Sequence, residues 1–296
     1  IYTLSLHDAL PILASELTAT PGAEGALNVD LSFTAPANAV DGSALSGTED
    51  VKIYRDDVLV NTLTGVAPGS AQTWTDTNVE DGKTYVYYVV AANESGDGQK
   101  SNKVSVFVGQ DVPAVVTGFE KTADTATSLT FAWDEVTGAN GGYVNPANAE
   151  YCIYKLAIES SIFGNYLVED GILGTVTGET TGTFDYPVDE GEQDIQYFGA
   201  SVKVGTNETD PTYAYTYALV GAPYELPIEE GFTGSTLHYV WDSSDNARLG
   251  VTDDTSDGDD AALALQAYGE AGEVTFFTGK VNLNPAANPT IIFDAK

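Results

Sequence analysis

Two stretches of this chain read alike one hundred residues apart. "NVDLSF", ending at Phe33, matches "SLTFAW", ending at Trp133, and "DVKIYR" at 50–55 matches "EYCIYK" at 150–155. A duplication on this scale restricts the chain to folds that close within one copy, since each copy is long enough to bury an apolar core of its own. Further on, "TW" at 73–74 pairs with "TF" at 183–184, and "VYYVVAA" from Val86 pairs with "QYFGASV" from Gln196, both at an offset of 110. The second copy therefore carries an insertion after its third strand, around "AIESSIFGN".

Each copy consists of short runs of period-two alternation separated by Gly, Pro, Asn and Asp, the pattern of antiparallel strands with one buried face. No segment shows a convincing amphipathic helix. In the first copy the alternation predicts strands near 16–20, 26–34, 50–55, 58–64, 71–76, 84–93 and 102–109. Seven strands in about 95 residues is the arithmetic of a β-sandwich.

The sixth strand is the most informative. Tyr85, Tyr87, Val89 and Ala91 share a face, and Tyr85 sits where a sandwich places its tyrosine corner. Tyr85, Ala91, Asn93 and Gly96 reproduce a Y-x(5)-A-x-N-x-x-G spacing, in which the chain resembles fibronectin type III domains over roughly residues 15–221. Phe33 and Trp133 match that family's second-strand tryptophan. The second copy departs from the pattern, with Ile195 at the corner and Lys203 at the asparagine. The resemblance implies spacer or protein-binding modules without chemistry of their own. Where some members present a cell-attachment RGD, this chain reads "ESGDGQKS", a loop lacking the arginine.

Charge narrows the partners. Asp and Glu number 44 against 11 Lys and Arg, a net charge of −33. A surface so short of cations neither docks on phosphates nor releases their counterions, which disfavours nucleic acid and anionic bilayers. At 43% hydrophobic residues the chain is too apolar for a disordered acidic tail. No window is apolar enough to form a membrane helix, so no membrane insertion is expected within this segment. Cys152 is the only cysteine, which leaves no disulfide framework and no zinc ribbon. Methionine is absent even at position 1, as expected of a monomeric internal piece of a longer product.

Residues 1–14 are read as a non-native or disordered leader. "IYTLSLHDALPI" lacks the basic region of a signal peptide and is interrupted by His7 and Asp8; it resembles a translated sequencing-adaptor read-through, a scar to be set aside from fold reasoning. The sandwiches are then assigned to 15–110 and 111–222.

From Pro223 to residue 296 the text changes. "LPIEEGF", a following Trp, and "DGDD" leading into "AALALQA" resemble the first half of a cleaved-adhesin or choice-of-anchor jelly roll of Bacteroidota surface proteins. Strands are expected at "EVTFFTGKV" and "PTIIFDAK". The "DDTSDGDD" turn raises Ca²⁺ binding, because clustered carboxylates supply the hard oxygen ligands that ion prefers. Asp253, Asp257 and Gly258 fit positions one, five and six of an EF-hand, but Thr255 and Ala264 fall at three and twelve, so the loop is not one. A jelly-roll site would instead combine Asp257, Asp259 and Asp260 with Glu230. The competing reading is a solvated acidic turn.

Catalytic material is scarce. His7 and His238 are the only histidines, and neither a Gly-x-Ser-x-Gly elbow nor an HExxH is present. "GKT" at 82–84 reads as a turn, because Thr77 stands where a phosphate loop needs its first glycine. Cys152 reads as a buried strand thiol. The sequons at 93 and 207 are patterns only. Acid pairs for glycoside hydrolysis remain open, since spatial spacing is not visible in sequence. Tyr213, Tyr215 and Tyr217 form one stripe, read as core or sheet-face packing with glycan binding as the alternative. The expectation is an all-β, non-enzymatic spacer and adhesion or anchoring segment of a secreted, extracellular or cell-surface bacterial protein. Its partner would be a surface protein or a glycan, and proline-bearing linkers would limit bending. The alternative is the accessory C-terminal part of an extracellular protease or glycoside hydrolase.

Overall fold

The structure, a computed structural model, describes residues 10–12, 14–162, 164–189, 191–231, 239–243, 247–252, 262–267, 275–284 and 288–292. Among them the only helical pieces are three single 3-10 turns, and the remaining regular elements are strands. The chain is all-β, built on fibronectin type III-like sandwiches in tandem. It gathers into two compact units, one comprising residues to 114 with 136–149 and 204–208, the other 115–135, 150–203 and 209 onward.

In the first unit β1 (Ser15–Pro21), β2 (Val29–Thr34) and β5 (Ala71–Asp76) form one antiparallel sheet in the order β1-β2-β5. A second sheet runs β4-β3-β6, made of β3 (Glu49–Arg55), β4 (Val58–Val66) and β6 (Lys83–Asn93), with β7 (Gly96–Lys100) and β8 (Val104–Val108) also against β6. The two-residue turn joining β3 to β4 is Asp56 and Asp57, both at positive φ (50° and 65°), the backbone a tight hairpin requires. Leu31, Phe33, Val51, Ile53, Tyr87 and Val89 fill the gap between the sheets. Tyr85 and Ala91 are buried with them, so the period-two face of β6 is the inner face. The Tyr85 hydroxyl accepts a hydrogen bond from Glu80 N at 2.9 Å and closes the corner. Gly82, at φ +69°, makes the turn before β6 where "GKT" stands.

Three features of this unit were not anticipated. The segment "ESGDGQKS" is not an open loop: Asn93 Oδ1 accepts from Ser95 N at 2.9 Å, Gly96 takes φ +124°, and β7 folds back against β6. Residues 10–12, expected to lack structure, run beside 38–40, with Val40 N donating to Leu10 O at 2.8 Å, and Ala14 lies in the core. The core also contains a polar knot. Asp76 Oδ2 accepts from Arg55 Nη1 at 2.8 Å and from the Tyr87 hydroxyl at 3.0 Å, while Oδ1 accepts from Asn78 N at 2.9 Å. Burial first, then the Asp76 charge, push the Tyr87 phenol above its ordinary range.

The linker after β8 is laced to the segment 137–143. Ala114 N donates to Thr137 O and Ala139 N to Val112 O, and the Asp111 carboxylate accepts from the backbone N of Asn140, Gly142 and Val112. Burial pushes the Asp111 carboxyl up, but these hydrogen bonds outweigh it and hold it below the usual range.

In the second unit β9 (Glu120–Asp124), β10 (Ser128–Ala132) and β13 (Thr181–Asp185) form a sheet in the order β13-β10-β9. The facing sheet holds β11 (Glu150–Ser161), β12 (Gly164–Thr177), β14 (Asp194–Val204) and β16 (Tyr215–Val220). The short β15 (Asn207–Glu208) belongs to the first unit. The insertion is the far half of the β11–β12 hairpin, whose strands run 12 and 14 residues where β3 and β4 have 7 and 9.

Pairing corrects the offset read from the sequence. Ile53 faces Val89 across β3 and β6, and Ile153 faces Ala200 across β11 and β14, so Val89 corresponds to Ala200, an offset of 111. Phe198 therefore occupies the place of Tyr87, and Gln196, not Ile195, that of the corner tyrosine. Likewise Val29 faces Asp76 and Leu129 faces Phe184, which puts Phe184 where Asp76 stands and shifts the fifth strand by two. The polar knot of the first sandwich is thus aromatic in the second, where Phe131 packs against both Phe184 and Phe198, with ring centroids 6.3 and 5.1 Å apart.

The third segment, also within the second unit, contributes two ladders. β17 (Trp241–Ser243) pairs with β20 (Phe276–Thr278), and β18 (Ala247–Thr252) with β19 (Ala262–Ala267). The Gln193 side chain donates to Lys280 O and accepts from Lys280 N, each at 2.8 Å, and Lys280 Nζ reaches Asp124. The strand expected at "PTIIFDAK" is not formed in its described part: residues 288–292 pair with no other described strand, and Ile291 and Ile292 lie exposed.

Candidate binding surface

The proposed Ca²⁺ ligands are only partly described. Glu230 Oε2 accepts from Tyr239 N at 3.2 Å, while Asp257, Asp259 and Asp260 lie outside the described residues, as do His7 and His238. Among the described residues no three Asp, Glu, His or Cys side chains are grouped closely enough to hold a metal ion. Cys152 is buried in β11 opposite Ser201, in keeping with a packed thiol.

The surface with binding character lies on β16. Its strand text, "YTYALV", alternates, and of the two packing places expected for the tyrosines the core is ruled out: Ala214, Ala218 and Val220 are buried, while Tyr213, Tyr215 and Tyr217 are 74%, 55% and 63% exposed. Register explains why. Gln196 faces Ala218 in β14–β16 as Tyr85 faces Val106 in β6–β8, so Ala218 fills the inward place of Val106. By the same register Tyr215 stands at the place of Lys103 and Tyr217 at that of Ser105, both outward.

A short 3-10 turn, Pro211–Tyr213, leads into the strand. Asp210 caps it, its Oδ1 accepting from Thr212 N at 2.8 Å. Pro211 is buried over Gly199, where a Cβ would meet Pro211 O at 2.5 Å, so glycine is what lets this turn sit on the sheet and raise Tyr213 to its edge. Tyr217 leans on Tyr197 of β14, ring centroids 5.9 Å apart. Beside Tyr213 and Tyr215 an open groove of about 540 Å³ extends to Val116, Phe119, Glu120 and Asp134. Its apolar wall is fixed from behind, because Phe119 stacks on the core ring of Phe131 at 5.2 Å. Asp134 is oriented by Thr117, whose hydroxyl donates to Oδ2 at 2.8 Å. Among the described residues every charged side chain lining the groove is a carboxylate, so the site offers flat rings and hydrogen-bond acceptors.

Comparison with known proteins adds little to this geometry. No family model and no curated protein matches the chain. Among solved structures it is similar to the crystal structure of chicken CNTN1 FN1-FN3 domains at 13% identity and a TM-score of 0.28, over 72% of this chain and 69% of that one. The strand order and register given above carry the fold assignment by themselves. Among the described residues no helix is long and apolar enough to cross a membrane.

Proposed function

We propose that this chain is a non-catalytic spacer and adhesion or anchoring segment of a secreted, multidomain bacterial surface protein. One observation carries the reading: the repeated strands direct their alternate side chains, Tyr85, Tyr87 and Val89 foremost, into the space between sheets, where they can serve only packing. What remains for function is the edge of the sandwich and the loops. Pro113 and Pro223, in the stretches after the first copy and before the third segment, would limit bending there. In this reading the third segment is the start of a jelly-roll module of the kind found on Bacteroidota surface proteins, and Ca²⁺ held by Glu230 with Asp257, Asp259 and Asp260 belongs to it.

The test is exposure on the cell. Antibody raised against residues 15–222 should label intact cells of the source bacterium; labelling only after lysis refutes the assignment. The exposed tyrosines favour a second reading, in which these modules hold substrate for an extracellular glycoside hydrolase carried on the same chain. The complete reading frame separates the two: a catalytic domain supports the second, and further repeats with a sorting signal support the first.

A further inference from the structure

We infer that the groove beside Tyr213 and Tyr215 binds a neutral polysaccharide chain; the inference deepens the adhesive reading above and rests on it. The fold does not require aromatic rings at these places. The first sandwich, built on the same strand register, carries Lys103 and Ser105 where the second carries Tyr215 and Tyr217, and it packs as well. Three tyrosines, one ending the 3-10 turn and two on β16, each more than half exposed, form an apolar surface that the core packing does not call for.

Size argues against a folded protein partner. At roughly 200 Å² for a whole aromatic side chain, the three exposed rings present on the order of 400 Å². That is about half of the ~800 Å² that each side of a stable protein interface buries. A narrow ligand lying along the strand is the better fit. Two residues of strand advance by about 6.8 Å, whereas a polyproline II ridge repeats every ~9.3 Å, so a proline-rich peptide does not keep step with Tyr215 and Tyr217.

Charge then selects the chemistry. Glu120 and Asp134 line the groove, and among the described residues no cation does. Sulfated or uronic acid polymers would bring their charges against two carboxylates on a chain of net charge −33. A pyranose chain without charge meets both features. Its axial C–H faces lie flat on the tyrosine rings, and its hydroxyls donate to the carboxylates and phenol oxygens, which can accept them.

The experiment is affinity electrophoresis of the full chain through gels containing soluble β-glucan, mannan or xylan, followed by calorimetry with the hexasaccharide of any polymer that retards it. Retardation by at least one of these polymers is expected. The variant Tyr213→Ala/Tyr215→Ala should weaken binding by roughly tenfold or more, a loss of at least about 1.4 kcal/mol, with an unchanged melting temperature because both rings are exposed. Tyr166→Ala, at an exposed hairpin tyrosine, should leave binding intact. No retardation in any gel overturns the inference, as does retardation that survives the double variant. Binding of an arginine-bearing proline-rich peptide, lost on Asp134→Asn, would assign the groove to a peptide instead. Any of these results with intact cells still labelled removes the ligand assignment and leaves the adhesive role standing.

Discussion

Replacing Glu49 by alanine should destabilise the first sandwich in mild acid and stabilise it in mild alkali. Glu49 opens β3 only 2% exposed, and neither of its carboxylate oxygens has a hydrogen-bond partner among the described residues. At the matching position of the second copy, one hundred residues on, stands Ala149, fully buried. Burial pushes the Glu49 carboxyl from its ordinary 4.5 to about 7. A raised acid pKa means that the folded state holds its proton longer than the unfolded state does. The stabilisation is therefore complete below pH 4.5 and is lost as the pH rises through 7. At about 1.36 kcal/mol per unit, the full loss approaches ~3 kcal/mol, of which roughly 2.5 falls between pH 5 and pH 8. Against this, truncation to alanine removes one buried methylene and the carboxyl group beyond it and costs about 1–2 kcal/mol. The variant should thus be less stable than the parent by about 1 kcal/mol at pH 5 and more stable by a similar amount at pH 8. Urea denaturation read by Trp74 fluorescence, with Trp133 and Trp241 replaced by phenylalanine, isolates this sandwich. Parallel curves for parent and variant across that pH range would refute the reasoning.

Two further outcomes follow from the packing. Asp76→Ala leaves Arg55 and the Tyr87 hydroxyl without their shared acceptor and should cost about 3–5 kcal/mol in the same denaturation assay; combined with Tyr87→Phe, the loss should be smaller than the sum of the two single losses, since both act through one knot. Replacing residues 158–167, the tip of the β11–β12 hairpin where Ile158, Ile162 and Tyr166 are exposed, by a two-residue Asn-Gly turn should change stability by less than about 1 kcal/mol, measured by the Trp133 unfolding transition.

Much of the fold was legible because period-two alternation and turn residues act locally. Every strand expected in the first copy is present within a few residues, and the corner tyrosine follows from its spacing alone. The insertion after the third strand was also visible, since "AIESSIFGN" interrupts an otherwise matching text. The phase of strands that are apolar on both faces was not legible. "QYFGASV" offers Tyr197 and Phe198 as equal candidates for the interior, and a one-residue slip exchanges the faces without altering the pattern. The same ambiguity hid the candidate site. In "YAYTYALV" the rings are the bulkiest apolar groups, yet the inward residues Gln196 and Phe198 pair with Ala218 and Thr216, and the tyrosines turn outward. Alignment of that strand with "KVSVFV", Lys103 to Val108, would have revealed it, because there the inward residues are the valines. The polar knot at Asp76 was equally hidden, since nothing near it in sequence announces Arg55 or Tyr87 as its partners.

Nitration of tyrosines by tetranitromethane under native conditions, mapped by mass spectrometry, tests directly whether these strands divide their rings between interior and solvent as described. Tyr213, Tyr215 and Tyr217 should react first, while Tyr85, Tyr87 and Tyr151 should stay unmodified until urea unfolds the chain. Early nitration of Tyr87, or protection of Tyr213 and Tyr215, would contradict both the packing and the surface assigned to it.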